Sequence, residues 1–116
     1  MSVVLNYLSK ARVKNECIRQ GKIFIRCFNQ ALNLDVDSNE FDITCRIMQL
    51  ILSSVNKLKV NFRNITNKEL FDWFFCIDGN IDEKLNEKNA KLYVNFSLDL
   101  LNNKYKSVKQ IIIDLL

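Results

Sequence analysis

Four cysteines, three evenly spaced arginines and two acid-rich loops carry most of the potential chemistry in this chain. Cys17, Cys27, Cys45 and Cys76 form no C-x-x-C pair, and histidine is absent. The usual zinc arrangements need such pairs, so they are excluded. All four cysteines fall on or beside apolar stripes, where Cys behaves as a small hydrophobe. A thiolate nucleophile needs a base beside it, and none is evident. Reduced thiols in a cytoplasmic or nuclear compartment are therefore expected.

Two loops come close to a calcium pattern. Asp35-Val36-Asp37-Ser38-Asn39 has the D-x-D-x-N opening of an EF-hand loop. Its sixth position is Glu40, where glycine makes the turn, and its twelfth is Arg46, where a bidentate Glu is needed. Asp78-Gly79-Asn80-Ile81-Asp82 fails at the same two places, with Glu83 and Asn89. Both read as caps and turns, so no metal and no cofactor is expected. Lacking His, the chain has no ordinary general base at neutral pH. It has no G-x-S-x-G, P-loop or Rossmann fingerprint. Asp82 and Glu83 lie in a loop with nothing to raise a pKa. A non-enzymatic protein is the expectation.

Arg12, Arg19 and Arg26 recur at seven-residue spacing, with Lys10, Lys14 and Lys22 nearby. With Lys57 and Lys59 they could contact nucleic-acid phosphates or an acidic lipid surface. A break expected at Gly21 would split this stripe, and no aromatic residue alternates with it as a stacking platform. The plainer reading is a solvated face paired with acidic blocks. Residues 1–33 carry net +5, 34–45 net −4, 46–68 net +5, 69–87 net −5 and 88–116 net +3, giving +4 overall. Such alternation is more typical of helix faces with complementary neighbours than of a nucleic-acid groove.

The segment LFDWFFCI, Leu70–Ile77, is the densest aromatic cluster. Phe71, Trp73, Phe74 and Phe75 point in nearly every direction around a short helix. If one face enters the core, the other displays aromatic surface of the kind that anchors protein interfaces. A bundle that wraps this helix fully is the alternative. Ile111, Ile112 and Ile113 cannot all face one core either. The candidate protein-binding residues are thus Phe71, Trp73, Phe75, Ile111, Ile112 and Leu115.

These residues need a scaffold. With 116 residues, 48% hydrophobic and 26% charged, the chain suits one globular domain over 1–116. It has no proline and two glycines, too few for the many turns of an all-β fold. Fifteen asparagines, with abundant Ile and Lys, suggest an AT-rich genome such as that of a large DNA virus, a protozoan or a low-GC bacterium. The first residues lack the long apolar run of a signal peptide. Sequons at Asn64 and Asn95 are discounted for that reason.

The spacing predicts an all-α, compact single-domain bundle of five to seven helices. The central helix is placed at about 40–58, where Phe41, Cys45, Met48, Leu52 and Val55 share a stripe that Ile47, Leu50, Ile51 and Leu58 widen. Such a helix needs neighbours on several sides. Asp42, Arg46, Gln49 and Asn56 make it too polar for a membrane span. Asp37 with Glu40 reads as its capping box. A first helix is expected over Ser2–Gln20, with Val4, Tyr7, Leu8, Ala11 and Ile18 on one face. After the break at Gly21, Lys22–Asn33 presents Phe24, Cys27, Phe28 and Ala31. Residues 59–65 are ambiguous. Thr66–Glu69 is a second capping box, opening a helix that runs to Gly79. A short helical turn follows near Asp82–Asn86. Glu87–Leu101, with Leu92, Tyr93, Phe96 and Leu100 inward, and Lys104–Leu116, with Tyr105, Val108, Ile112 and Leu115, complete the set.

The layout resembles the C-terminal helical domain of the non-catalytic katanin subunit. A basic first helix leads to Gly21-Lys22-Ile23, then to Ala31 and the Asp35 loop, and Leu70-Phe71 is followed by Cys76. The region before Leu70 is longer here and lacks a close match. The resemblance implies an adaptor that binds a partner helix bundle and microtubules.

The functional expectation is a protein–protein interaction module (an adaptor, regulator or viral host-factor-binding protein), acting on another protein or on itself as a homodimer. The alternative is a nucleic-acid binder using Arg12, Arg19, Arg26, Lys57 and Lys59, or a katanin-subunit-like adaptor.

Overall fold

The computed structural model describes residues 2–61, 65–75, 91–93, 95–96 and 107–116. The chain is all-α, with no strand among these residues. Helix α1 spans Ser2–Leu32, α2 Asn39–Asn61 and α3 Asn67–Phe75. Helix α4 is described at residues 91–93 and 95–96, and α5 spans Val108–Leu115. The expected turn near Asp82–Asn86, the helix end at Gly79 and the residues 101–106 lie outside the described residues.

Helix α1 corrects the expectation of a break. It runs unbroken through Gly21 for 31 residues, about 46 Å at ~1.5 Å per residue. Gly21 serves close approach, not chain reversal. A Cβ there would overlap the carbonyl oxygen of Phe74 and lie 2.7 Å from its carbonyl carbon. The backbone of α3 therefore rests directly on α1. Val13, Cys17 and Gly21, four residues apart, make a ridge of modest side chains on α1, and Val13 and Cys17 are buried. Two residues of the expected first-half face do not lie in the core. Ala11 is exposed and Ile18 only half-buried, while the side chains of Val4, Tyr7 and Leu8 lie outside the described residues.

Farther along α1 the expected face holds: Phe24, Cys27, Phe28 and Ala31 are all buried. Phe24 and Phe28 build an aromatic core with the other helices. Phe24 meets Phe74 of α3 at a centroid distance of 5.2 Å and Phe96 of α4 at 5.8 Å. Phe28 meets Tyr93 at 5.3 Å and Phe96 at 5.4 Å. Offset and edge contacts at these distances suit the ring quadrupoles and add to simple burial. Tyr93 and Phe96 are buried and Leu92 packs on the core, as expected.

Helix α2 buries Phe41, Cys45, Met48, Leu52 and Val55, the stripe read from the sequence. It is not the hub. Helix α1 packs against α2 and α3 and supplies the rings that meet α4, whereas α2 packs against α1 and α5. The turn between α1 and α2 also differs in its chemistry. Asp35 accepts from the Asp37 backbone N–H at 3.0 Å, making an Asx-turn. Ser38, not Asp37, caps α2: its Oγ accepts from the Phe41 N–H at 3.1 Å and donates to the Asp35 carbonyl at 2.6 Å. Asp35 and Ser38 thus spend their polar groups on the turn.

The second capping box is present. Thr66 Oγ1 accepts from the Glu69 N–H at 3.1 Å, and Glu69 Oε1 accepts from the Thr66 N–H at 3.4 Å. Lys10 reaches Glu69 at 2.8 Å and ties α1 to the start of α3. Ser107 caps α5 through the Gln110 N–H at 3.1 Å. Lys109 of α5 meets Asp42 of α2 at 3.3 Å.

Candidate protein-binding surface

Ile43, Ile47 and Leu50 stand one helical turn apart on α2 and share its outer side. They are 55%, 42% and 67% exposed. The reason is geometric. Positions i, i+4 and i+7 fall together on a helix, and Phe41, Cys45, Met48, Leu52 and Val55 already occupy the opposite side. Ile51 and Leu58, at the margin, turn towards the core. A wide apolar circumference implies neighbours on several sides. The same signal reports a helix with a second apolar face and no neighbour on it among the described residues.

Charges border this stripe. Asp42 holds Arg46 at 3.3 Å, four residues away on the same helix. Asp37 and Glu40 are exposed at the N-terminal end and Lys57 at the C-terminal end. None of these last three takes part in an ion pair among the described residues. Thr44, the buried polar side chain of the helix, is satisfied by donating to the Glu40 carbonyl at 2.7 Å.

The residues singled out from the sequence scatter. Trp73 is half-buried and packs on the core. The side chains of Phe71 and Phe75 lie outside the described residues. Ile112 is fully buried and belongs to the core, so it offers nothing to a partner. Ile111, Ile113 and Leu115 are half-buried against the same core. The three consecutive isoleucines thus resolve into one inside and two at the margin.

Arg12, Arg19, Lys22 and Arg26 are exposed on the side of α1 that faces away from the core. Glu16 holds Arg19 at 2.6 Å and also accepts from Gln20. Hydrogen bonds from Arg19 and then Gln20 lower the Glu16 pKa. Lys57 is exposed at the far end of α2, and the Lys59 side chain lies outside the described residues.

Cys17, Cys27 and Cys45 are buried free thiols. Burial, and then the Glu16 charge, pushes Cys17 up to about 11. Burial, with Asp42 adding to it against Lys109, does the same for Cys45. Burial also raises Cys27. At neutral pH these sulfurs are protonated, so they act as core atoms and not as nucleophiles. No group of three metal-ligating residues occurs among the described residues. No helix there is long and apolar enough to cross a membrane.

No protein family matches the chain, and no curated protein or solved structure shows significant similarity to it. The katanin-like layout therefore rests on the quoted residues alone, and its Gly21 step falls inside one continuous helix.

Proposed function

We propose that this chain is a non-enzymatic protein-binding module whose contact surface is the outer stripe of α2. One observation carries this reading. Three large aliphatic side chains, Ile43, Ile47 and Leu50, lie in a row in water. A contiguous apolar patch rimmed by charge is a common mark of a protein interface. The row also fits the i, i+4, i+7 anchor pattern by which helices engage partners. The reading moves the contact surface away from Trp73 and the C-terminal isoleucines, which pack against the core.

A photo-crosslinking residue at position 50, introduced in the source cell, tests it. Covalent protein adducts are expected at 50 and lost with Ile43→Ser plus Ile47→Ser. A probe at Gln30, exposed on α1, should give none. Equal yields at both positions, or none at 50, would overturn the reading.

A second reading gains from the continuity of α1. Arg12, Arg19 and Arg26 now share one uninterrupted helix, spaced about 10 Å apart, and Lys22 joins them. That spacing can track phosphates, though Glu16 already neutralises Arg19. Binding to random duplex DNA, titrated with salt, decides it. No binding at low salt removes the nucleic-acid reading, because phosphate contacts strengthen as salt falls.

A further inference from the structure

We infer that the occupant of the α2 stripe is a second copy of this chain, packed antiparallel across a two-fold axis near Ile47. The inference rests on the reading of α2 as a contact surface and names its partner. Its warrant is the distribution of charge along that surface. Among the described side chains, the charges outside ion pairs are acidic at the N-terminal end of α2, Asp37 and Glu40, and basic at the C-terminal end, Lys57. A parallel copy would bring like ends together. An antiparallel copy brings each acidic end onto the other's basic end.

The register follows from the apolar residues. An isologous contact must match each residue with its counterpart in reverse order. With Ile47 on the axis, Ile43 of one copy falls beside Leu50 of the other, and Ile47 meets itself. Lys57 lies ten residues beyond Ile47, about 15 Å along the helix. Ten residues the other way reach Asp37 in the turn just before α2, and Glu40, inside the helix, lies seven residues or about 10 Å from Ile47. Arg46 sits closest to the axis, where like charges would meet. It is already held by Asp42, so the repulsion there is compensated within each copy. Helix α2 is 23 residues long, about 35 Å, and carries every position of this register except Asp37, which sits in the turn before it. Three aliphatic residues a side make a smaller patch than the roughly 800 Å² per partner of a standard interface. The pair is therefore a weak, concentration-dependent one, and added salt weakens it further.

Sedimentation equilibrium on the purified chain, from micromolar to millimolar, tests this. The average mass should climb from 13.6 kDa towards twice that value. Leu50→Glu should weaken the association at least tenfold, with helical dichroism unchanged. Lys57→Glu should weaken it severalfold, and Asp37→Lys combined with Lys57→Glu should restore it to within about twofold. A monomer at every concentration overturns self-pairing. So does a dimer indifferent to Leu50→Glu, or a double reversal no better than the single one. If the chain is monomeric and position 50 still crosslinks to a different protein, self-pairing fails and the α2 contact surface stands. If neither occurs, both fail.

Discussion

Gly21 of α1 lies directly against the carbonyl of Phe74 in α3, with no room between them for a methyl group. Two helices rarely meet backbone to backbone unless a glycine permits it. Here the contact sets how α3 lies across α1, and it brings Phe74 to Phe24. Gly21→Ala should therefore destabilise the fold. In an open helix the change would gain about 1 kcal/mol from propensity. Forcing the helices apart costs about 1–3 kcal/mol or more. Urea denaturation should show a lower midpoint, whereas Lys22→Ala next door, exposed, should leave it nearly unchanged.

Phe24 touches rings from α3 and α4, and Phe28 touches two from α4. Truncating either to alanine should cost about 3–5 kcal/mol. By contrast, Ile43→Ser and Leu50→Ser, on the open side of α2, should each stay within about 0.5 kcal/mol of the parent. Thermal and urea melts measure both. A large loss at Leu50 would mean that this side chain is buried after all.

The cap of α2 separates two neighbouring residues. Ser38→Ala removes the Oγ that accepts from Phe41 and should cost about 1 kcal/mol. Asp37→Ala leaves that cap in place and should cost less. The order would reverse if Asp37 were the capping residue.

Acid should weaken the link between α1 and α3. The Lys10 ammonium, more than the Thr66 groups, holds the Glu69 carboxyl below its ordinary 4.5. Because the folded pKa is the lower one, the contribution is complete above the unfolded value and fades as pH falls through the folded one. Glu69→Gln should flatten the stability profile below about pH 4.5 and change its shape little above pH 6.

Alkali acts in the opposite sense on the thiols. Cys17 and Cys45 rise from 9.0 to about 11 on burial. Their contribution is complete below pH 9 and is lost as pH climbs towards 11, where the unfolded chain ionises and the folded one resists. The urea midpoint should drop over that window. The drop should be shallower in the Cys17→Ala, Cys45→Ala double variant.

Much of the bundle could be read from residue spacing, because burial needs periodicity and periodicity is visible. The Phe41–Val55 stripe, the Thr66 box and the inward Tyr93 and Phe96 all follow from it. What escaped was the use made of small residues. A glycine inside a helical pattern looks the same whether it bends the chain or seats another backbone. The side chains that enter the core in this half of α1 include the modest Val13 and Cys17, which large-residue periodicity passes over. The α2 surface was half legible. Its apolar width was evident, but periodicity cannot say whether a second apolar face meets a neighbour within the chain or outside it.

Cys17 and Cys27 lie on α1 and Cys45 on α2, each sealed inside the packed helices. A thiol reagent can reach them only through excursions that part those helices. Their rates of alkylation thus become a stopwatch for breathing at three places in the bundle, with no label added to the protein.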